Sequence, residues 1–403
     1  MPSEFARHWT LDPGITFLNH GSFGATPRPV LDAQAAWRER MEREPVAFFT
    51  RELEPALDRA RAALGTFIGA DPDDLAFVPN ATTGVSTVAR SLELRAGDEI
   101  LTTDHAYNAV RNALDAVVAR AGARVVVAAL PFPGSSPEAA TDRILAAVTP
   151  RTRLAVIDHV TSTTALVLPI EAIVRALSER GVDALVDGAH APGMLELDLS
   201  SLGAAYYTGN GHKWLCAPKG SGFLHVRHDL HPRVRPLAIS HGANSPRTDR
   251  SRFRLEHDWT GTADPSAFLS MPAAIDFGAG LMDGGWPALR ERNRDVALRG
   301  RNLLCSVLGI DAPAPDTMVS GMATVALPLE PGLAPVDDGR SDDALHAALE
   351  AQGIQVMVAP WPMRPEGGPW RRVIRISAAA HVASEDLERL ARALPATLAS
   401  VAD

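Results

Sequence analysis

Apolar residues recur along this chain at two spacings, and the spacing changes with position. From Pro29 to Glu44, the apolar residues Val30, Ala33, Trp37 and Met41 follow at intervals of three and four, with proline near the first turn, which predicts a helix. A second helix is predicted from Leu53 to Ile68, with Leu57, Ala60, Leu64 and Phe67 or Ile68 on one side. Short apolar runs then alternate with helical stretches. Strands are predicted at Leu75–Val78, Glu99–Thr102, Arg124–Leu130, Leu154–Asp158, Ala184–Asp187 and Ala204–Thr208. Helices are predicted between them at Gly84–Leu94, Ala106–Ala121, Ser136–Val148 and Ile170–Arg180. Repeated strand-then-helix order with short connections predicts an α/β fold with a mostly parallel sheet and helices on its faces. Ligands of such sheets sit beyond the carboxyl ends of the strands, so the residues just after each strand are the ones to inspect.

The pattern changes after about Pro265. A long helix is predicted over Pro287–Leu308, then short strands near Met322–Leu327, Ile354–Ala359 and Val373–Ser377, flanked by helices at Asp342–Gln352 and Ser384–Leu394. This predicts a smaller α+β domain. The 403 residues are too many for one ordinary core, which agrees with two domains.

Composition narrows the function. With 46% hydrophobic and 22% charged residues, the chain is that of a folded soluble protein. A net charge of −9 without a block of five like charges argues against nucleic acid or an anionic membrane as the main partner. No apolar run reaches membrane-spanning length, and Met1 to His8 lacks a signal-peptide core. Cys216 and Cys305 make neither a disulfide framework nor a metal knuckle, so no metal is expected and a reducing cytoplasm is the expected compartment.

Lysine is the most informative residue. Lys213 and Lys219 are the only lysines of the chain, and both fall in Tyr207-Thr-Gly-Asn-Gly-His-Lys-Trp-Leu-Cys-Ala-Pro-Lys-Gly220. Arginine stays protonated and is a poor nucleophile, whereas a lysine amine can lose its proton in a suitable site and form an imine. Genomic base composition explains the scarcity of lysine but not the placement of both beside Gly, His and Pro.

Three further clusters sit at strand ends. Pro79-Asn-Ala-Thr-Thr-Gly84 is either a phosphate seat at a helix N-terminus or an ordinary capped helix start. In Thr103-Asp-His-Ala-Tyr-Asn108, His105 or Tyr107 can stack on a planar ring, and Asp104 can equally be a plain helix cap. In Leu185-Val-Asp-Gly-Ala-His-Ala-Pro192, Asp187 follows an apolar strand, and its desolvated carboxylate needs a cation: a protonated pyridine nitrogen or an arginine. His190, three residues on, can donate to an oxygen of the same ring, and His212 beside the lysine can orient a phosphate. The loop Phe17–Pro27, with His20 in it, is a connector or the wall of a site. Together these are the parts needed to hold pyridoxal phosphate.

The order of motifs resembles the class V aminotransferase family of fold-type I pyridoxal-phosphate enzymes, in its isopenicillin N epimerase-like branch. The residues that carry the resemblance are Leu18-Asn-His-Gly-Ser-Phe-Gly24, Asn80-Ala-Thr-Thr-Gly-Val-Ser86, Asp104-His-Ala-Tyr-Asn-Ala-Val110, Asp158-His-Val-Thr-Ser162 and Gly209-Asn-Gly-His-Lys-Trp214. The resemblance implies a fold-type I transferase: a large domain over residues 20–265 with a mostly parallel seven-stranded sheet, and a small domain made of residues 1–19 and 266–403. It implies that Lys213 binds the cofactor as an imine and later shuttles the Cα proton of an external aldimine. It assigns Asp187 to the pyridine nitrogen, His190 to the ring oxygen, and Thr82, Thr83, Asn210 and His212 to the phosphate. His105 stacks on the ring in this scheme, with Tyr107 as its rival. Arg375, in Ile374-Arg-Ile-Ser377, is implied to grip the substrate α-carboxylate, with Asn19, His20 and Ser162 near the substrate. Thr262 is implied to reach the phosphate of a neighbouring subunit, making the enzyme a homodimer with shared active sites.

Desulfurases of this family carry a persulfide-forming cysteine on a loop matching roughly Pro328–Arg340, where this chain has none. The expected activity is therefore epimerisation or β-elimination with C–S cleavage on an amino-acid substrate, in specialised metabolism. Transamination, oxygen-dependent decarboxylation and a non-enzymatic, cofactor-binding regulator are the alternatives. Epimerisation needs a second acid, for which Tyr107, His20 and His159 are candidates. Arg235, His241, Arg247, Arg250, Arg254 and Trp361 are expected in loops, mostly on a solvated surface.

Overall fold

The computed structural model describes residues 3–329, 343–363 and 371–402. Seven strands form the main sheet: β2 (Leu75–Val78), β3 (Glu99–Thr103), β4 (Arg124–Ala128), β5 (Thr152–Asp158), β6 (Asp183–Gly188), β7 (Tyr206–Asn210) and β8 (Gly222–Val226), ordered β2-β8-β7-β6-β5-β3-β4. From β4 across to β7 every pairing is parallel. Helices cover both faces, as the alternating pattern requires. Strand β8 was not expected from the sequence. It runs antiparallel between β7 and β2 and is reached by a tight return from the lysine turn rather than by a crossover helix.

Among the helices that begin elsewhere than expected, two border the strand ends of the main sheet, and capping explains the first. The helix expected from Gly84 is Ala81–Ser91, because Asn80 caps it through the Thr83 N–H at 2.9 Å. The helix expected from Ala106 is Asn108–Ala121, which leaves Asp104 to Tyr107 as a free strand-end loop.

The remaining strands build two small sheets. Strands β9 (Met322–Leu329), β11 (Met357–Trp361) and β12 (Arg371–Ser377) form an antiparallel sheet in the order β11-β12-β9. Its core, which includes Val325, Ile374 and Ile376, packs against Val296 and Leu304 of the helix Gly285–Leu308 and Leu390 of Ser384–Ala402. The strand expected over Ile354–Ala359 is divided: β10 (Ile354–Gln355) pairs in parallel with β1 (Thr16–Phe17), and β11 joins β12. The N-terminal segment is thereby tied to the C-terminal part, and the Leu18–Gly24 loop is carried to the carboxyl ends of β5–β7. The cysteine-free loop lies largely outside the described residues. No described helix is long and apolar enough to cross a membrane.

Candidate active site

The parallel register sets Asp158, the last residue of β5, beside Asp187, the next to last of β6. Both carboxylates are buried. Burial raises the pKa of each, and the charge of Asp187 raises Asp158 further. Asp187 Oδ1 accepts the Ala189 N–H at 2.9 Å. Two adjacent buried acids make this end of the sheet a place that favours a cation.

Lys213 lies in the turn after β7, which is closed by Gly211 N–H donating to the Ser221 carbonyl at 2.8 Å and Cys216 N–H to the Lys213 carbonyl at 3.0 Å. Its Nζ is 3.2 Å from His190 Nε2. Desolvation, helped by the positive charge of Arg375, lowers the lysine pKa to about 7. Roughly half the amine is therefore neutral at pH 7, against about one in a few thousand for an ordinary lysine. His190 is buried, and desolvation with the nearby charge of Lys213 keeps its ring neutral. Trp214 Nε1–H donates to His190 Nδ1 at 3.4 Å. In a neutral ring this places the proton on Nε2, facing the lysine amine.

The N-terminal loop clamps this turn from behind. His20 is fully buried, with Nε2 donating to the Lys213 carbonyl at 3.0 Å and Nδ1 accepting the Ala25 N–H at 3.3 Å. It fixes the lysine backbone and is not open to a substrate, which corrects its expected place. A Cβ on Gly24 would meet the His212 carbonyl at 2.3 Å, so the loop can approach this closely only as glycine.

The expected phosphate residues converge at one helix end. The Ala81 N–H donates to Asn210 Oδ1 at 2.8 Å, which uses the amide oxygen and leaves the Asn210 NH2 as a donor. Thr82 and Thr83 occupy the first turn, with the Thr83 hydroxyl 3.1 Å from Asn80 Oδ1. His212 Nδ1 donates to the Ser221 carbonyl at 3.0 Å, and its ring is held neutral, near a pKa of about 4, chiefly by desolvation. Ala81, Thr83 and Gly84 already donate their N–H groups within the protein, so the positive end of this eleven-residue helix, the Thr82 N–H and these hydroxyl and amide donors are what could receive an anion.

Arg375, on β12, is delivered to the site by the small sheet. Its Nη1 donates to the Ser162 carbonyl at 2.7 Å, and its Nη2 to Asn19 Oδ1 at 3.2 Å and Ser22 Oγ at 2.7 Å. These acceptors, and the Ser162 hydroxyl 3.5 Å from Nη1, are neutral, and Nε is buried without a partner among the described residues. Burial lowers this guanidinium to about 10. A guanidinium at 1% exposure without a carboxylate is under-compensated, and a ligand carboxylate would satisfy it bidentately.

The two ring-stacking candidates part company. His105 is buried, its Nδ1 2.6 Å from Thr164 Oγ1 and its Nε2 3.2 Å from the Leu130 carbonyl, with the Trp361 ring 4.3 Å away. Tyr107 is exposed, and its hydroxyl lies close enough to Arg375 for charge to act between them. Thr262 is exposed on the surface of the single chain.

Several contributors went unassigned from sequence. Asp158 carries the same signal as Asp187, an acid closing an apolar strand. Ser22 and Trp214 stood inside recognised motifs, but only the fold shows what they touch. Two expected loop residues prove buried: Arg254, in the helix Arg252–His257, and Trp361, at the end of β11. Cys216 is part-buried with its thiol pushed up to about 12 by burial, and Cys305 is buried in the long helix, so neither is a ready nucleophile.

These residues fit pyridoxal phosphate by charge and donor set: acids that need a cation, an anion seat, a nucleophilic amine with a neighbouring N–H, and a guanidinium without a carboxylate. A model of the class-V aminotransferase family matches residues 22–390. Isopenicillin N epimerase of Amycolatopsis lactamdurans is 39% identical over 399 residues, covering 96% of both chains. A putative L-cysteine desulfhydrase of Oryza sativa subsp. japonica is 35% identical, covering 83% of this chain and 72% of its own. Among solved structures, the cystine C–S lyase C-DES, in complex with its product cysteine persulfide, superposes with a TM-score of 0.76 at 23% identity, covering 95% of this chain and 97% of that one. This likeness shows the same fold. The chain belongs to the class-V aminotransferase family of pyridoxal-phosphate enzymes.

Proposed function

We propose that the protein is a pyridoxal-phosphate enzyme that takes the proton from Cα of an amino-acid substrate, leading to epimerisation or to β-elimination with C–S cleavage. The observation that carries this reading is the neutral amine of Lys213, poised beside the His190 N–H and the unpaired guanidinium of Arg375. When bound, the cofactor supplies an aldehyde for imine formation and a ring that delocalises charge developing at Cα. Lys213 would hold it covalently, Asp187 would keep the ring nitrogen protonated, and His190 would donate to the ring oxygen. Thr82, Thr83, Asn210 and His212, with the helix N-terminus, would hold the phosphate. Hydrogen bonds in the ring plane would hold His105 without occupying its faces, so it would remain a candidate for the cofactor's ring face beside its rival Tyr107.

Arg375 orients the substrate by its α-carboxylate, which places Cα near Lys213. The Lys213 amine, neutral above about pH 7, then acts as general base. The similarity to an epimerase over nearly the whole chain favours return of the proton on the opposite face, with Tyr107 the available second acid. The desulfhydrase relatives favour the other outcome, in which a β-thiolate leaves after the same first step. With no accessible thiol beside the site, sulfur would depart as a free thiol or sulfide and not as a protein persulfide. Thr262, exposed in the single chain, would complete the phosphate seat of a second copy, which makes the active species a homodimer.

Incubation with L- and D-amino acids in deuterated water tests the reading. Deuterium at Cα with inverted configuration identifies an epimerase, and pyruvate with sulfide from cysteine identifies a C–S lyase. A keto acid that keeps its side chain identifies an aminotransferase. The absence of both Cα exchange and a β-elimination product with every substrate, in protein that shows cofactor absorbance, would overturn it.

A further inference from the structure

At the end of the sheet opposite the candidate active site, three donor groups meet. Asp74 immediately precedes β2, and the antiparallel register sets Leu75 across from His225 of β8. The chain then enters a 3₁₀ helix, His228–Arg233. Side chains three apart eclipse in a 3₁₀ helix, so His228 and His231 share a face, with ring centroids 4.7 Å apart. His228 Nδ1 and His231 Nε2 both lie 3.1 Å from Asp74 Oδ1. The donor atoms fall within 4.8 Å of one another. Adjacent ligand atoms around tetrahedral zinc, with bonds near 2.0–2.1 Å, are about 3.4 Å apart, so only small adjustments separate this cluster from a coordination shell.

A second observation points the same way. His225 is buried, and its Nδ1 has no partner among the described residues. The charges of Asp74 and His231 both act on it, which places it beside the cluster. A water on an ion there would satisfy this nitrogen. His231 Nε2 also contacts the Val226 carbonyl at 3.0 Å, a hydrogen bond that metal binding would replace.

We propose that Asp74, His228 and His231 form a binding site for a divalent transition-metal ion, zinc by its nitrogen and carboxylate donors, with water completing the shell. The site joins the start of edge strand β2 to the segment leaving β8, so its occupancy would fasten that edge. It uses no residue of the candidate active site.

Calorimetric titration of the cofactor-loaded protein with zinc chloride tests this, with cobalt(II) absorbance reporting the geometry. The wild type is expected to take up one ion at this site, to show the visible band of tetrahedral cobalt, and to gain Tm with zinc. His228→Ala, at a side chain 79% exposed, keeps the fold. It and Asp74→Asn are each expected to weaken binding by more than the ~10–100-fold that loss of an outer-shell partner costs, and to abolish the gain in Tm. No uptake by the wild type overturns the proposal, as does uptake that both substitutions leave unchanged.

Discussion

Two regions of this molecule bury arginine, and they do so in opposite ways. Around Arg61 the positive charge is matched. Arg61, at 1% side-chain exposure, donates to the Leu75 carbonyl at 3.0 Å, to Asp58 at 3.1 Å and to Asp258. Arg254 adds bonds to Asp73 at 2.7 Å and Asp258 at 3.3 Å, and Arg250 binds Asp58 at 2.6 Å. Around Arg375, equally buried, every acceptor is neutral. Burial lowers the pKa of both Arg61 and Arg375, but only Arg61 has a carboxylate that offsets it. The matched arginine joins the helix Leu53–Ile68 to the segment around Arg254. The unmatched one keeps an Nε–H without a partner among the described residues and a charge that, on the proposed reading, a substrate carboxylate would meet.

The largest effect is expected at the amine beside Arg375. Lys213→Ala removes the base, and Cα deuterium exchange should fall ~10²–10⁴-fold from that loss alone. The variant should also lose the cofactor on gel filtration while keeping wild-type stability. Residual exchange near the wild-type rate would assign the proton to another group.

The arginine comparison is broken most directly by a pair of substitutions. Arg61→Met leaves buried Asp258 with only the Arg254 contact at 3.3 Å among the described residues and should cost up to ~3–5 kcal/mol of stability at pH 7 in urea denaturation. Burial already raises the pKa of Asp258. The deficit should therefore shrink as the pH falls and the less well paired acid takes a proton. Arg375→Met leaves no charge unpaired, so its stability should stay within about 1 kcal/mol of wild type. Its kcat/KM for an amino acid should drop by ~30-fold to several thousand-fold, equivalent to about 2–5 kcal/mol, mostly through KM. A destabilised Arg375→Met with normal KM would reverse the assignment of the two regions.

The contrast also shows what the sequence could carry. The Arg375 pattern Ile-Arg-Ile-Ser was legible as a strand-borne arginine, and the apolar runs ending in Asp187 and in the Lys213 turn were legible as strand ends facing a ligand. Nothing in the sequence showed that Arg254, expected on a solvated surface, would be buried like Arg375, because the partners of each are brought from 181 and 213 residues away. His20 misled for a related reason. A histidine in a glycine-rich loop looks available to a substrate, but the β1–β10 pairing turns the loop so that the ring lies under the Lys213 carbonyl. Strand β8 was missed because two closely spaced antiparallel strands do not follow the strand-helix alternation that revealed the other six. Asp158 was legible in kind, as an acid closing an apolar run, but its role depends on lying level with Asp187, a matter of register.

The smallest predicted effect concerns how the unmatched region holds its amine neutral. Trp214 donates to His190 Nδ1, so the His190 proton faces Lys213 and meets a lone pair more favourably than an ammonium. Without that donor the proton can move to Nδ1, and the exposed Nε2 lone pair then favours the charged lysine. In Trp214→Phe the lysine pKa should therefore rise from about 7, by roughly half to one pH unit for a hydrogen bond worth ~0.5–1.5 kcal/mol. Recapture of pyridoxal phosphate by stripped protein reports this directly, because only the neutral amine attacks the aldehyde. The rate should rise with pH through a midpoint near 7 in the wild type and through a higher one in the variant. Trp214 is buried, so its replacement also loosens packing, but a pure packing defect lowers stability at every pH and leaves the midpoint in place. An unshifted midpoint would mean that desolvation and Arg375 set the lysine pKa without the tautomer of His190.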